Sequence, residues 1–242
     1  MISSSTKDWS QAQEWFRANF STASTFDTYC PELAFLSAYK SEDSLSFSVK
    51  DSDSEIFTFG LGPNPYIPEN STGVAVDRGV LFEGVERYEL KANWDSYEVS
   101  TQSFTGQGAG FINDSEEIAA FLKRNAPELS VWPGDPEIIF WSAEYLDSNL
   151  ASIAAAVRWR SGAVMLASIA TQEEFRGRGI AKLLVRKTLA SLRDIDVEKV
   201  GLGVVSTNAA AKAVYEAIGF KVVREFSRFS RFSRFSRFSV RS

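Results

Sequence analysis

The chain has 242 residues, and its 44% apolar fraction is enough to bury the core of one large domain or two modest ones. Histidine is absent and Cys30 is the single cysteine, which excludes histidine catalysis, an internal disulfide, and metal sites built from histidine or clustered cysteine. The net charge of −5 is uneven, because residues 1–130 carry 9 basic and 20 acidic side chains whereas residues 131–242 carry 17 and 11. We therefore expect no metal site, and we assign any charged partner to the second half.

Targeting signals are not apparent in the sequence. No stretch approaches the roughly 18 consecutive apolar residues of a membrane helix. Residues 1–8 lack the charged and then apolar order of a secretory signal. A single thiol also fits a reducing compartment, and we expect a cytoplasmic protein without a membrane partner.

The first hundred residues predict mixed helix and strand. Asp8 to Phe20 has helical spacing, with four apolar side chains on one face: Trp9, Ala12, Trp15 and Phe16. Three short runs have strand character: Leu45 to Val49, Ile56 to Phe59, and Arg87 to Leu90. Turn chemistry separates them, and no motif of a functional site is present. We treat residues 1–110 as an N-terminal α+β region of unknown role.

The second half predicts alternating strands and helices. A helix capped by Asp114 or Ser115 ends before Pro127. The elements that follow are strands at Glu137 to Tyr145, Leu150 to Arg160 and Ala163 to Thr171, a helix from Gly179, a strand at Val200 to Val205, and a helix from Ala211 to Ile218 that stops at Gly219. Leu183 and Leu184 are expected on the buried face of the first of these last two helices. The order indicates an α/β (α+β) domain with a mixed sheet, and two strands that are buried on both faces.

A glycine-rich loop lies between a buried strand and an amphipathic helix. Its sequence is Arg176, Gly177, Arg178, Gly179, Ile180 and Ala181. Free backbone N–H groups and the positive end of the helix dipole favour a phosphate there, and glycine lets a ligand approach the backbone. The arginines add cationic donors. The pattern is neither a Walker loop nor a dinucleotide fingerprint.

Two motifs in this half resemble those of the GNAT superfamily of acyl-CoA N-acyltransferases. The spacing Arg176-x-x-Gly179-x-Ala181 is similar to the family's acyl-CoA signature. A later motif, Asn208-x-x-Ala211-x-x-x-Tyr215-x-x-x-Gly219-Phe220, follows in the expected order. The resemblance covers residues 137–220. We place the family domain at 111–242, with an Arg-Phe-Ser repeat tail at 226–242.

The resemblance implies a mixed sheet that splays between its fourth and fifth strands, with acetyl-CoA as co-substrate in the gap. Backbone groups of Ile169, Ala170 and Thr171 would pair with the pantetheine arm. The amides from Arg176 to Ala181 would hold the pyrophosphate, the Asn208 side chain would contact the cofactor, and Tyr215 would protonate the departing sulfur. Gln172-Glu173 departs from the family's usual residues before the loop.

The general base is not defined by the sequence. Glu173 and Glu174 follow the fourth strand and are the nearest candidates, and Glu144 lies on an earlier strand. A carboxylate beside arginines can equally form a surface ion pair, and water can relay the proton.

Two functions from different classes remain. The first is an N-acetyltransferase that acts on a primary amine of a small molecule or protein, with a cationic acceptor favoured by the acidic first half. The second is a non-catalytic protein with a GNAT-like core that binds CoA or a macromolecule. A homodimer, and a decayed second copy of the fold in residues 1–110, both stay open.

The tail repeats Arg-Phe-Ser four times from residue 228. A period of three fits neither a strand nor a helix, so a strand there would expose some phenylalanines, or the tail would fray. Its alternating Arg and Phe could contact single-stranded nucleic acid, but we favour a triplet expansion of little consequence and expect no nucleic-acid partner.

Overall fold

The structure, a computed structural model, describes residues 2–18, 20–51 and 53–232. Within these residues the chain divides into two units. The first holds residues up to 95, residues 205–207 and those from 223 onward, and the second holds residues 96–204 and 208–222. Our domain boundary at residues 110 and 111 stays a prediction.

The first unit begins with a strand and two helices and continues as a sheet. Its elements are β1 (Ser4–Thr6), α1 (Trp9–Arg17), α2 (Phe20–Tyr29), β2 (Phe35–Lys40), β3 (Leu45–Lys50), β4 (Ile56–Leu61) and β5 (Gly73–Asp77). The strands lie in chain order. The first three pairs are antiparallel, and β4 pairs with β5 in parallel.

Two helices replace the single helix that we predicted over residues 8–20. Asp8 caps α1, because its carboxylate accepts a hydrogen bond from the Gln11 N–H at 2.9 Å. The helix buries Ala12 and Phe16 completely, as its spacing predicts. It ends at Arg17, and α2 then begins at Phe20.

The second unit also consists of a series of strands, with helices of 11, 14 and 10 residues between and after them. Its elements are β7 (Gly110–Phe111), α3 (Ser115–Asn125), β8 (Ile138–Leu146), β9 (Asn149–Arg158), β10 (Val164–Thr171), α4 (Ile180–Arg193), β11 (Lys199–Val205) and α5 (Ala209–Ile218). Strands β7 to β11 again lie in chain order. The three pairs from β7 to β10 are antiparallel, and β10 pairs with β11 in parallel.

The two units therefore share one topology of five strands, each with a final parallel pair. Two further strands, β6 (Tyr88–Ser100) and β12 (Lys221–Arg231), pass through both units. In the first unit, β12 pairs with β5 in antiparallel fashion. In the second unit, the end of β6 lies next to β11. Each five-stranded set is thus extended by a strand from the other half of the sequence.

The period-three phenylalanines of β12 alternate between the two faces of the first unit's sheet. Phe226 belongs to the core cluster that contains Phe16 and Phe47, whereas Phe229 belongs to a second cluster with Phe82. Residues three apart point to opposite faces of a strand, and here both faces are covered, so both rings are buried. Phe232 is 45% exposed. Arg234, Arg237 and Arg241 of the predicted tail lie outside the described residues.

The core of the second unit lies on both faces of its sheet. Helices α4 and α5 cover one face with a cluster that includes Val185, Leu189 and Tyr215. Helix α3 covers the other with Ile118, Phe121 and Leu122. Strand β9 is buried from Leu150 to Val157, which confirms the prediction from its continuous apolar run.

One residue of the predicted α4 face was assigned wrongly. Leu184 is fully buried, but Leu183 is 45% exposed. The buried face of α4 includes both Leu184 and Val185. Leu183 lies about 100° from Leu184 on the side away from Val185, so it points outwards. The fold class is the expected one, a mixed α+β arrangement with an open mixed sheet flanked by helices. In the described part of the chain, no helix is long and apolar enough to span a membrane.

Candidate acyl-CoA site

The parallel strands β10 and β11 are in register at a single pair, Met165 with Gly201. Gly201 allows this close approach, because a Cβ there would lie 2.7 Å from the Met165 sulfur. Beyond that pair, β10 carries a bulge between Ala167 and Ala170, at which Ser168 has a φ of 47°. A bulge bends and twists its strand, so the two strands separate towards their carboxyl ends.

The backbone of β10 after the bulge presents two residues to this gap. On the side of β10 that faces β9, the Gln172 N–H donates to the Ala151 carbonyl at 2.9 Å, and the Ser152 hydroxyl donates to the Ala170 carbonyl at 2.8 Å. Backbone groups alternate in direction along a strand, so those of Ile169 and Thr171 point towards the gap. Of the three residues predicted to pair with pantetheine, Ala170 has its backbone directed to β9 instead.

The loop after β10 is fastened at Arg176. Its guanidinium donates through Nε to the Thr171 carbonyl at 3.0 Å and through Nη2 to the Asn125 carbonyl, at the end of α3, at 3.4 Å. The side chain that we predicted as a phosphate donor therefore also ties the loop to its own strand and to α3. Arg178 lies over the Phe175 ring, 5.7 Å from its centre, and its side chain is exposed.

Two glycines of the loop leave open space in front of helix α4. Gly177 and Gly179 have φ values of 75° and 78°, which favour glycine, and an added Cβ at either would meet no atom within 4 Å. Gly179 caps α4 without a side-chain hydrogen bond, and the first turn carries no acidic residue. The first N–H groups of the helix therefore face an open, positively polarised space, which suits a pyrophosphate.

The three candidate bases occupy different environments. Glu173 and Glu174 form a 3₁₀ turn with Phe175 directly after the gap-facing end of β10, and both are exposed. Glu144 on β8 is 14% exposed and accepts a hydrogen bond from the Lys187 ammonium at 2.6 Å. This ion pair joins the Glu144 side chain of β8 to helix α4.

Helix α5 carries the other two predicted residues. Asn208 caps it, with Oδ1 accepting the Ala211 N–H at 3.1 Å. Tyr215 is 8% exposed and packs with the rings of Tyr97 and Phe220, whose centres are 6.4 and 5.9 Å away. Burial raises the pKa of Tyr215 from its usual value near 10 to about 12. The phenol is therefore fully protonated at neutral pH.

The Ser168 hydroxyl is one contact near the gap that the sequence did not indicate. It donates to the Val131 carbonyl at 2.7 Å and accepts the Val131 N–H at 3.2 Å. The two residues are 37 positions apart, and Ser168 occupies an ordinary position of a strand pattern. No local signal could have identified this pair.

Comparison with known proteins identifies the second half. The sequence profile of the acetyltransferase (GNAT) family matches residues 102–220. N-acetylaspartate synthetase from Homo sapiens is 37% identical over 87 residues, which is 36% of this chain and 28% of that protein. The enzyme of the same name from Rattus norvegicus is 36% identical over 87 residues and is covered to 29%. The chain thus spans less than a third of the length of these curated relatives.

Solved structures share the fold over more of the chain. The match to a GNAT-family acetyltransferase from Colwellia psychrerythraea covers 96% of this chain and 100% of that protein, with 14% identity and a TM-score of 0.52. A GCN5-related N-acetyltransferase from Kribbella flavida covers 81% and 89%, with 11% identity and a TM-score of 0.54. A structure from the GNAT family of Novosphingobium aromaticivorans covers 66% and 74%, with 22% identity and a TM-score of 0.50. At this identity the likeness concerns the fold, and it extends into the N-terminal half.

The family profile spans the bulged strand, the glycine loop and the tyrosine helix, all of which come from the second unit. Members of this family use an acyl-CoA as co-substrate. Residues 102–220 therefore form a domain of the GNAT superfamily of acyl-CoA N-acyltransferases.

Proposed function

We propose that this protein is an N-acetyltransferase that moves an acetyl group from acetyl-CoA to a primary amine by direct attack, with both substrates bound together. The observation that carries the proposal is the gap between β10 and β11, which opens after the single pair Met165 and Gly201. The glycine loop lies at one end of this gap. A thioester could enter between the strands while its phosphates bind the loop.

The residues for holding acetyl-CoA follow from the directions of their backbone groups. Ile169 and Thr171 would pair with the amides of the pantetheine arm, as a neighbouring strand would. The amides from Arg176 to Ala181, together with the dipole of α4, would bind the pyrophosphate. Asn208 uses Oδ1 in its cap, which leaves the side-chain NH₂ group as the part that could donate to the cofactor.

The chemical step needs positioning and one proton donor. The amine nitrogen forms a bond to the thioester carbonyl carbon, the carbon–sulfur bond breaks, and the sulfur takes up a proton. Tyr215 would supply that proton, because its raised pKa keeps the phenol protonated until the sulfur begins to leave. Backbone N–H groups at the gap would stabilise charge on the carbonyl oxygen.

The incoming amine must also lose a proton. Glu173 and Glu174 are the candidates that support this role best, since both are exposed directly after the gap-facing strand. Glu144 is engaged by Lys187 at 2.6 Å. A carboxylate of the 3₁₀ turn could accept the proton directly or through water.

The acceptor is proposed as a primary amine of a small molecule or protein. The relatives named N-acetylaspartate synthetase support an amino-acid amine as the first acceptor to test. The acidic first half, with 20 acidic and 9 basic residues over 1–130, instead favours a cationic acceptor. L-aspartate and a diamine are therefore the two informative acceptors.

The test is turnover of acetyl-CoA by the full chain with a panel containing L-aspartate, L-lysine, a diamine and a peptide with a free N-terminus. We expect Tyr215→Phe to lower kcat by about 100-fold without changing the affinity for acetyl-CoA. Tyr145→Phe is the matched control, because Tyr145 is 46% exposed.

Three outcomes of this test are distinct. Turnover that is unchanged by Tyr215→Phe removes the acid role from this residue. Binding of acetyl-CoA without turnover of any amine supports the alternative, a non-catalytic CoA-binding protein. Absence of acetyl-CoA binding by the folded protein contradicts the acetyltransferase and the CoA-binding protein, and leaves only the binding of a macromolecule.

A further inference from the structure

We propose that Ser168 is a positioning residue for the acyl group, and that its hydroxyl fixes the direction in which β10 leaves β11. The inference rests on the proposed function and adds a residue to it. Ser168 lies in the second unit, between the last pair with β11 at Met165 and the gap-facing residues Ile169 and Thr171.

The backbone of Ser168 adopts a conformation that its residue type does not favour. Its φ of 47° lies in the left-handed region, where residues other than glycine, asparagine and aspartate are uncommon. Strained residues of this kind persist when surrounding contacts hold them, and they cluster at ligand-binding and catalytic sites. The conformation at Ser168 therefore calls for a contact that maintains it.

The required contact is the pair of hydrogen bonds to Val131. One hydroxyl donates to the carbonyl at 2.7 Å and accepts from the N–H at 3.2 Å, so it binds both polar groups of the same residue. Ser168 is 5% exposed and Val131 is 9% exposed, so solvent cannot readily replace these bonds. Val131 lies in the connection from α3 to β8, outside any helix or strand.

A second contact joins the C-terminal end of α3 to the glycine loop. Arg176 donates to the carbonyl of Asn125, the last residue of α3, at 3.4 Å. The segment from α3 to β8 is thus attached to the bulge through Ser168 and to the glycine loop through Arg176. These two points hold the bulge and the loop in a fixed relation.

The position of Ser168 predicts an effect on chemistry rather than on cofactor affinity. The pyrophosphate would bind the loop at residues 176–181, which a change at Ser168 leaves intact. The acyl end would bind past the bulge, where a change in strand direction would displace the thioester from Tyr215 and the amine. A misplacement of about 1 Å can lower a rate by about 100-fold.

Two variants separate the hydrogen bonds from the backbone strain. Ser168→Ala removes the hydroxyl and retains a residue that disfavours this φ. Ser168→Gly also removes the hydroxyl but accepts the conformation freely, so its folding is not at risk from strain. Ser191→Ala is the matched control. Ser191 lies on α4, and its buried hydroxyl likewise accepts a hydrogen bond from a distant backbone N–H, that of Ala109, at 3.0 Å.

The experiment measures kcat and KM of the full chain with acetyl-CoA and its best amine, together with hydrogen exchange with and without acetyl-CoA. We expect both Ser168 variants to lose at least 10-fold in kcat with less than a threefold change in the acetyl-CoA dissociation constant. Acetyl-CoA should protect residues 177–184 equally in all proteins, but it should protect residues 165–172 less in the two Ser168 variants than in the wild type and in Ser191→Ala.

The outcomes distinguish this inference from the proposed function. If both Ser168 variants show the same turnover and the same hydrogen-exchange protection as the wild type, the positioning role is overturned and the proposed function stands. Activity lost in Ser168→Ala but retained in Ser168→Gly would also overturn it, because the hydroxyl would then be dispensable. Absence of turnover in the wild type would overturn the proposed function, and this inference with it.

Discussion

The parallel pairs β4/β5 and β10/β11 occupy the same place in the two units but differ in how far they are joined. In the first unit, β4 and β5 are in register at four consecutive pairs, from Phe57 with Gly73 to Gly60 with Val76. In the second, β10 and β11 share one pair. The same strand order therefore produces a closed sheet in one unit and an opening in the other.

The connections between the paired strands explain part of this difference. Residues 62–72 join β4 to β5 without a helix, whereas β10 and β11 are joined through the glycine loop and the 14-residue helix α4. Gly73 also lets the Phe57 ring lie against its Cα, since a Cβ there would approach the ring to 2.4 Å. The bulge and the loop, rather than the strand order, therefore account for the gap between β10 and β11.

Side chains reinforce the contrast. The first unit fills its sheet with aromatic rings, such as Phe47 and Phe59, which stack with centres 5.0 Å apart. The second unit has three consecutive buried alanines in β9, Ala154, Ala155 and Ala156. Aromatic side chains thus fill the core of the first unit, whereas small side chains occupy the centre of β9 beside the bulged strand.

The largest expected effect concerns β12, which pairs with β5 in the first unit. Phe226 is fully buried there and stacks on Trp94 with ring centres 4.7 Å apart. Phe226→Ala should lower the free energy of unfolding by about 3–5 kcal/mol. Urea denaturation measures this loss, and Val222→Ala, at a position 44% exposed on the same strand, should change stability by less than about 0.5 kcal/mol.

The labelling rate of the single cysteine shows whether the stability lost in Phe226→Ala is lost in the core of the first unit. Cys30 is 1% exposed in the same core cluster as Phe226, and burial raises the pKa of its thiol. The native protein should therefore react slowly with iodoacetamide, and Phe226→Ala should speed the reaction by about the factor that its loss of stability implies. An unchanged labelling rate in a destabilised variant would contradict the assignment of β12 to this core.

The next effect sharpens the comparison between the two connections. Gly179→Glu places a carboxylate at the start of α4 and should weaken acetyl-CoA binding by about 100-fold, through repulsion of the pyrophosphate and strain at a φ of 78°. Pro63→Glu places the same charge on the exposed connection of the first unit, and it should leave binding unchanged.

Calorimetric titration measures both variants and the stoichiometry. Since the first unit's parallel pair is closed, we expect one acetyl-CoA per wild-type chain. Two sites per chain, or equal losses in the two variants, would show that the closed pair opens to a ligand.

The smallest effect is on alkaline stability. The folded pKa of Tyr215 is about 12, against about 10 in an unfolded chain. The group therefore stabilises the fold fully below pH 10, and this contribution declines as the pH rises towards 12. Linkage predicts a loss of about 1.3 kcal/mol between pH 9 and 11. Between pH 9 and 11, the free energy of unfolding of Tyr215→Phe should therefore fall by about 1.3 kcal/mol less than that of the wild type, as measured by denaturation at both pH values. An equal fall in both proteins would mean that the phenol is solvated in the folded state.

The sequence predicted the second unit well because its signals are local. Asp114 caps α3, accepting from two backbone N–H groups at 3.0 Å, and Gly219 ends α5 with a φ of 117°. The apolar runs of β9 and β10 gave their strands to within a residue or two. The first unit was predicted less well, because β2 and β5 were not predicted and the predicted helix over 8–20 divides after Arg17.

The sequence by itself determined the elements of the second unit, the glycine loop before α4 and the likeness to the GNAT family, because capping residues, glycines and hydrophobic periodicity act over a few neighbouring positions. Only the tertiary structure decided which strand pair opens, which half receives β12, and that Ser168 meets Val131. These features depend on contacts between residues far apart in the chain. Such pairs form only when the sheets assemble, so no single segment encodes them.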